Sequence, residues 1–396
     1  MKITKVDVLL VDAPANPIWH PILCRIYTDT GLYGDGEAAV AYVSGQTAAF
    51  GMIQDLAKII IGMDPLKNEV IWDKMYKTTF WGQNGGPIVF SGISAIDIAL
   101  WDIKGKFFNQ PLHALLGGKR RDKLRAYASQ LQFGWDWDSK VGMGKQSYTT
   151  EDYADVCQRA MNEGYDAVKI DFFTFGPNGE AFGEDERTHI IHPKYMHMIE
   201  DRLKAIRAKC GQDLDIIIEN HSSLDAQAAV QLGQMAEKYR IFYFEEPNTP
   251  TPYMQKYIAE KVNIPQASGE RIYSRWQYAP YFENKSLQVI QPDIGNCGGL
   301  TEAKKICDMA YTYDVNIQAH VCASPLSTNV ALHLESVIPN FLIHEHHIAN
   351  RCAWNACLSK HNPQPVNGYF EVPNEPGIGN EISEQAYKQA KIVTVK

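Results

Sequence analysis

Six stretches decide the fold: DLDIIIENHSS (213–223), RIFYFEEPNTP (240–250), NIPQASGERI (263–272), SLQVIQPDIGN (286–296), VNIQAHVCAS (315–324) and NFLIHEHH (340–347). Each is a short β-branched or aromatic run that stops at an ionisable residue: Glu219, with His221 two beyond, then Glu245, Glu270, Asp293, His320 and Glu345. From Glu219 to Glu345 these stops lie 26, 25, 23, 27 and 25 residues apart. One strand, one helix and two loops need about that much chain. The period therefore predicts an α/β architecture, a modified TIM barrel of the (β/α)7β type, with chemistry at the carboxyl end of each strand.

Upstream the same alternation continues. RAYASQLQ (125–132) and DAVKIDFF (166–173) read as the first two barrel strands. A helix over 150–163 has Thr150 as its cap candidate, and another follows over 195–210. Between DAVKIDFF and that helix lies a polar insertion (174–194), longer than most βα loops and expected to be a lid or a partner contact. Later helices are expected over 223–239, 251–261, 274–283, 299–313 and 326–336. The barrel domain is thus placed at 125–350. Residues 1–124 read as an α+β capping domain. Strands at 2–12 and 21–29 precede a Gly-rich turn, DTGLYGDGEA (29–38), and helices follow over 46–61 and 64–78, then within 92–118 a long apolar helix stopped by Asn109-Gln110-Pro111 and a short one ending at Gly117-Gly118. Residues 351–396 leave the barrel pattern and are expected to return to the cap.

The chain has 396 residues, 45% hydrophobic and 21% charged, which suits a globular enzyme of two domains. A formal charge of −8 argues against a nucleic-acid surface. No apolar run reaches the roughly 18 residues of a membrane helix. The N-terminus alternates like a strand and lacks the pattern of a signal peptide. Eight scattered cysteines with no C-x-x-C pair indicate reduced thiols, and a cytoplasmic location is expected.

Three carboxylates at successive strand ends, Glu219, Glu245 and Glu270, would crowd at one barrel mouth. Singly each reads as a solvated loop residue. Together they call for a hard divalent cation, and an all-oxygen set favours Mg2+ over zinc. Lys169 and Asp171, two apart on one strand, face the same way. The lysine would hold a substrate carboxylate, serve as a base, or form a partly buried salt bridge. Asp293 and His320 end neighbouring strands, the arrangement of an oriented general base. His221 faces the mouth like Glu219. Glu345 would contact the substrate, while alternation turns His344 and His346 to the far face.

These motifs resemble the enolase superfamily, mandelate racemase branch, and within it the galactonate and gluconate dehydratase-like acid-sugar dehydratases. The resemblance rests on SAIDIALWDIKGK…LHALLGG in the cap, KID, ENH, EEP, SGER and QPD, and on the late HV and HE strand ends, all in the family's order over essentially the whole chain. It implies one Mg2+ held by Glu219, Glu245 and Glu270, an Asp293–His320 base, Glu345 near the substrate carboxylate and His221 as the acid. Specificity would come from cap loops around Asn16–His20 and Trp81–Gly86, giving Asn16, His20, Trp81, Gln83 and Asn84 as substrate-binding candidates. Two departures stand out. Glu219 replaces the more usual Asp, and Lys-x-Asp replaces the Lys-x-Lys of racemases, which disfavours racemisation. The resulting expectation is a dehydratase that acts on an aldonic or aldaric acid. The alternatives are an epimerase using His320 and Lys169, or a silent acid-sugar-binding paralogue. The partner is a small-molecule acid sugar, and the enzyme a homo-oligomer.

Overall fold

A computed structural model describes residues 1–12, 19–135 and 145–396. The N-terminal unit is an antiparallel sheet of β1 (Ile3–Val11), β2 (Ile22–Thr28) and β3 (Tyr33–Ala38), covered by helices α1 (Gln46–Ile60), α2 (Asn68–Thr78) and α3 (Pro87–Phe108). The Gly-rich segment expected as a turn is mostly strand β3. Its glycines serve packing: a Cβ on Gly36 would lie 1.9 Å from the Ala95 carbonyl oxygen, and one on Gly34 2.1 Å from that of Ala99. Removing the side chains lets α3 lie directly on the strand. The alternate residues, Asp35 and Glu37, are buried.

The barrel is built from eight parallel strands: β4 (Lys123–Ser129), β5 (Ala167–Asp171), β6 (Asp215–Glu219), β7 (Ile241–Glu245), β8 (Gln266–Ser268), β9 (Val289–Ile290), β10 (Asn316–Ile317) and β11 (His344–His347). They are neighbours in chain order, with β11 beside β4. A parallel bridge from Ile317 to Phe341 links β10 to the approach of β11. Seven longer helices connect them: α4 (Thr150–Asn162), α5 (Pro193–Cys210), α6 (Ala226–Ala236), α7 (Pro252–Ala259), α8 (Ser274–Glu283), α9 (Gly299–Thr312) and α10 (Pro325–Val337). Apolar residues between strands and helices form two large buried clusters. Inside the barrel, Tyr127, Ala167, Ile217, Tyr243, Ala267, Val289 and Ile343 form a separate buried floor. No helix among the described residues is long and apolar enough to cross a membrane.

The C-terminal chain first lays β12 (Tyr369–Glu371) antiparallel on the start of β4, then adds β13 (Ala390–Val395) to the edge of β1. The cap is pinned to the barrel by polar groups. Glu37 accepts hydrogen bonds from Ser324 N (3.0 Å), Ser324 Oγ (2.5 Å) and Ser327 Oγ (2.7 Å) at the start of α10. Asp97 of α3 accepts from Thr301 N (2.8 Å) and Thr301 Oγ1 (2.6 Å) in the first turn of α9, where the helix dipole favours an anion. Both contacts lie beyond strands whose ends carry candidate site residues, so they set the cap's position over the mouth. The 174–194 insertion holds a Phe175–Ala181 bridge and a short helical turn, Glu184–Arg187.

Candidate active site

Alternation along the strands stacks a polar layer on the apolar floor. Two residues beyond Tyr127, Ala167, Ile217, Tyr243 and Ile343 come Ser129, Lys169, Glu219, Glu245 and Glu345, every one of them buried. Glu219 and Glu245 are direct register partners on β6 and β7. Lys169 Nζ lies 2.6 Å from Glu245 Oε1, 3.0 Å from Glu345 Oε1 and 3.4 Å from Glu219 Oε2. Burial alone would discharge this ammonium, but the charges of Glu219, Glu245 and Glu345 hold its pKa well above the ordinary value. Glu345 is fully engaged, taking Ser129 Oγ at 2.7 Å and Val321 N at 2.9 Å besides the lysine. Burial would raise its pKa, and Lys169 foremost pulls it well below the usual carboxylate range.

Glu270 follows β8 by two residues, and its carboxylate joins the layer from that side. One oxygen each of Glu219, Glu245 and Glu270 lie within 4.8 Å of one another. Glu245 Oε2 is buried without a hydrogen-bond partner. Burial pushes the Glu245 carboxyl up to about 8 despite the lysine beside it. In Glu270 burial is outweighed by His320, Arg271 and His221, and its pKa falls to about 2. Three convergent carboxylates, oxygen donors only, with one buried oxygen left over, fit the donor set of a hard divalent cation. This cluster could hold a metal ion.

Two imidazoles flank it. His320 Nδ1 lies 2.7 Å from Asp293 Oδ2, and its Nε2 lies 3.2 Å from Glu270 Oε2. His221 Nδ1 lies 2.8 Å from Asp171 Oδ2, and its Nε2 lies 3.1 Å from Glu219 Oε1. Their side chains are 15% and 35% exposed, against 1% for Lys169, so the imidazoles face the open mouth while the lysine forms its base. Burial works against charge on both rings. Glu219 and the Asp171 contact nevertheless raise His221 to about 10, and Glu270 and Asp293 raise His320 well above the usual range.

The other sequence candidates stand apart. His344 and His346 point away from the mouth, to Glu335 and Tyr165, each at 2.5 Å. Trp81, Gln83 and Asn84 are exposed on the cap, outside the hydrogen-bond network of the carboxylates. His20 is half-buried beside Trp19, and its amide donates to Ala41 O at 2.9 Å. Asn16 lies outside the described residues. Three neighbours of the cluster carried no sequence assignment. Gln130, one residue past β4, donates from Nε2 to Glu219 Oε2 at 2.6 Å. Arg271 bridges Glu270 (2.6 Å) and the buried Glu246. Glu246 and Arg271 sit inside the quoted EEP and SGER motifs, each beside a ligand candidate. That adjacency was the available signal.

With this geometry in hand, the relatives are informative. Residues 20–117 match the mandelate racemase / muconate lactonizing enzyme N-terminal domain, and residues 152–386 match the enolase C-terminal domain-like family. D-galactonate dehydratase of Pectobacterium atrosepticum is 31% identical over 393 residues, covering 97% of this chain and 93% of that protein. The crystal structure of an enolase-superfamily member from Salmonella Typhimurium is 49% identical, with a TM-score of 0.95 and full coverage of both chains. A proposed dehydratase from Zymomonas mobilis ZM4 is 46% identical with the same TM-score, covering 100% of this chain and 99% of the other.

Proposed function

Because this chain belongs to the enolase superfamily, in its mandelate racemase / muconate lactonizing branch, and is a hydro-lyase there, we propose that it removes water from an aldonic or aldaric acid to give a 2-keto-3-deoxy acid. The observation that carries this reading is the pair of imidazoles, His221 and His320, each turning Nε2 toward a different member of the carboxylate trio.

Glu219, Glu245 and Glu270 would hold Mg2+, whose charge would supply the stabilisation that a proton α to a carboxylate needs before it can leave. His320 Nε2 takes that proton, with Asp293 holding the ring from behind. The electron pair of the C2–H bond passes into the substrate carboxyl group. As it returns, the bond from C3 to its hydroxyl breaks, and His221 Nε2–H protonates the departing oxygen as water. The enol left behind tautomerises to the keto acid. Lys169, at the base of the mouth, supplies the positive charge that orients and neutralises the substrate carboxylate, and Glu345 holds the lysine in place from below. Nothing in this route needs a redox partner.

The epimerase alternative draws less support. Its second base would be Lys169, which is buried at the base of the mouth and paired with three carboxylates, whereas His320 faces the opening. A semicarbazide screen for 2-keto acids over a panel of acid sugars with Mg2+ tests the proposal. A positive member is expected. Ligand-induced melting shifts across the panel with no keto acid formed would instead mark a binding protein. Epimerisation would appear in D2O as products that retain every hydroxyl.

A further inference from the structure

We infer that Asp171 is a positioning residue that works through His221, fixing its imidazole so that Nε2 faces the substrate, as Asp293 does for His320. This rests on the acid role proposed for His221. The two pairs are built alike. Asp293 Oδ1 accepts the amide of Gly295, two residues on, at 2.8 Å, and its Oδ2 takes His320 Nδ1 at 2.7 Å. Asp171 Oδ1 accepts the amide of Phe173, also two residues on, at 2.8 Å, and its Oδ2 takes His221 Nδ1 at 2.8 Å. Both aspartates are 3% exposed.

Their placement repeats as well. Asp171 ends β5 and His221 follows the adjacent β6 by two residues, while Asp293 and His320 follow β9 and β10. In the strand order, β5 and β9 are four apart, and so are β6 and β10. In a ring of eight that spacing is half a turn, so the pairs face each other across the mouth.

Asp171 cannot rotate away, because one oxygen is held by backbone and the other by the ring. With Oδ1 taken by the Phe173 amide, Asp171 Oδ2 accepts from His221 Nδ1–H, which turns Nε2 to the mouth side, 3.1 Å from Glu219 Oε1 and 3.3 Å from Gln130 Nε2. The ring is aimed from its own side too. His221 and Ser222 are non-glycine residues in left-handed backbone, with φ of 47° and 58°. That turn is held by Ser222 N donating to Glu246 O at 3.0 Å and Ser223 N to Asn220 O at 2.9 Å. Such backbone persists where surrounding contacts over-determine it. Lys-x-Asp in place of Lys-x-Lys thereby gains a role: the second position serves the histidine of the next strand.

The test is nitrogen NMR of the Mg2+-loaded protein with labelled histidine, the His221 signals being assigned by their loss in His221→Asn. Nδ1 of His221 is expected to be protonated in the wild type, and finding it unprotonated would overturn the proposal without any variant. In Asp171→Asn the Phe173 amide pins the side-chain oxygen, so the NH2 group must face the ring. His221 Nδ1 is then expected to lose its proton, and an unchanged signal would overturn the idea. On any acid sugar that is turned over, Asp171→Asn should lower elimination kcat about 100-fold or more, with KM nearly unchanged. Exchange of the α-proton with D2O should fall less than about threefold. The Asp171→Asn/His221→Asn double variant should be no slower than His221→Asn. Equal loss of exchange and elimination, or additive losses in the double variant, would mean Asp171 acts elsewhere. Should no acid sugar be turned over, the dehydratase reading fails while the NMR result still decides the role of Asp171.

Discussion

Two regions of this molecule bury carboxylates, and they do it differently. Along the cap seam every oxygen has a donor. Asp35 is gripped by Arg25 at 2.6 and 2.7 Å and by Ile382 N at 2.9 Å. Asp102 takes Lys106 at 2.7 Å and the amides of Asp35 and Ile378, each at 3.0 Å. Asp97 is satisfied by Thr301, and Glu37 by Ser324 and Ser327. At the barrel mouth the accounting does not close. Glu245 Oε2 and Glu246 Oε1 are buried with no partner, and one lysine is shared by three carboxylates. Among the described residues these two are the only buried carboxylate oxygens left without a partner, so the complete set acts as a joint and the incomplete one fits a place for a ligand.

That contrast can be broken by experiment. The largest effect is expected from Glu245→Gln. It should lower turnover by about 1,000-fold or more and weaken Mg2+ binding in calorimetry at least about tenfold. Its metal-free form should nevertheless melt no lower than the wild type, because an under-compensated buried charge has been removed. Unchanged metal binding together with a lower melting temperature would place Glu245 with the seam. Next, His320→Asn should cut exchange of the substrate α-proton with D2O by about 100- to 10,000-fold. Exchange at the wild-type rate would remove His320 as the base. Smaller is the expected cost of Asp97→Ala, about 1–3 kcal/mol in urea unfolding, with Mg2+ affinity untouched. Loss of metal binding there would join the two regions energetically.

The smallest effect concerns pH. Burial raises the Asp97 carboxyl to about 7 in the folded chain from an ordinary 3.8, against its Thr301 hydrogen bonds. The folded state then holds the extra proton, so this contribution to stability is complete below about pH 4 and is lost as pH rises through about 7. Asp97→Asn should flatten that part of the urea-midpoint profile, and an unaltered slope would mean Asp97 stays ionised.

Much of this is legible in the chain. Side chains alternate along a strand by local geometry alone, so spacing suffices to put Lys169 with Asp171 on one face, whereas His221, beyond the end of β6 in left-handed backbone, reaches the mouth through its turn. Boundaries are less legible where context overrides pattern. Helix α3 begins at Pro87, five residues ahead of the apolar periodicity, because proline is favoured in the first turn. Strands β9 and β10 keep only two ladder residues each, so Asp293 and His320 stand three beyond their strands. The strand within DTGLYGDGEA is hidden because glycine signals a turn until a helix is seen lying against it. Gln130 escapes notice because an amide after a strand carries no charge signal, and its meaning depends on Glu219 being opposite.

The sequence by itself determined the parallel barrel with its cap, and which residue types stand at the strand ends, since a period of strand and helix and a two-residue alternation are properties of neighbouring residues. Only the tertiary structure decided who meets whom: three carboxylates on Lys169, Asp171 behind His221, and the closed accounting at the seam against the open one at the mouth. Those pairings depend on strand register and on the curling of the sheet, which bring Asp171 to His221, 50 positions on, and Glu37 to Ser324, 287 positions on. No local pattern encodes them.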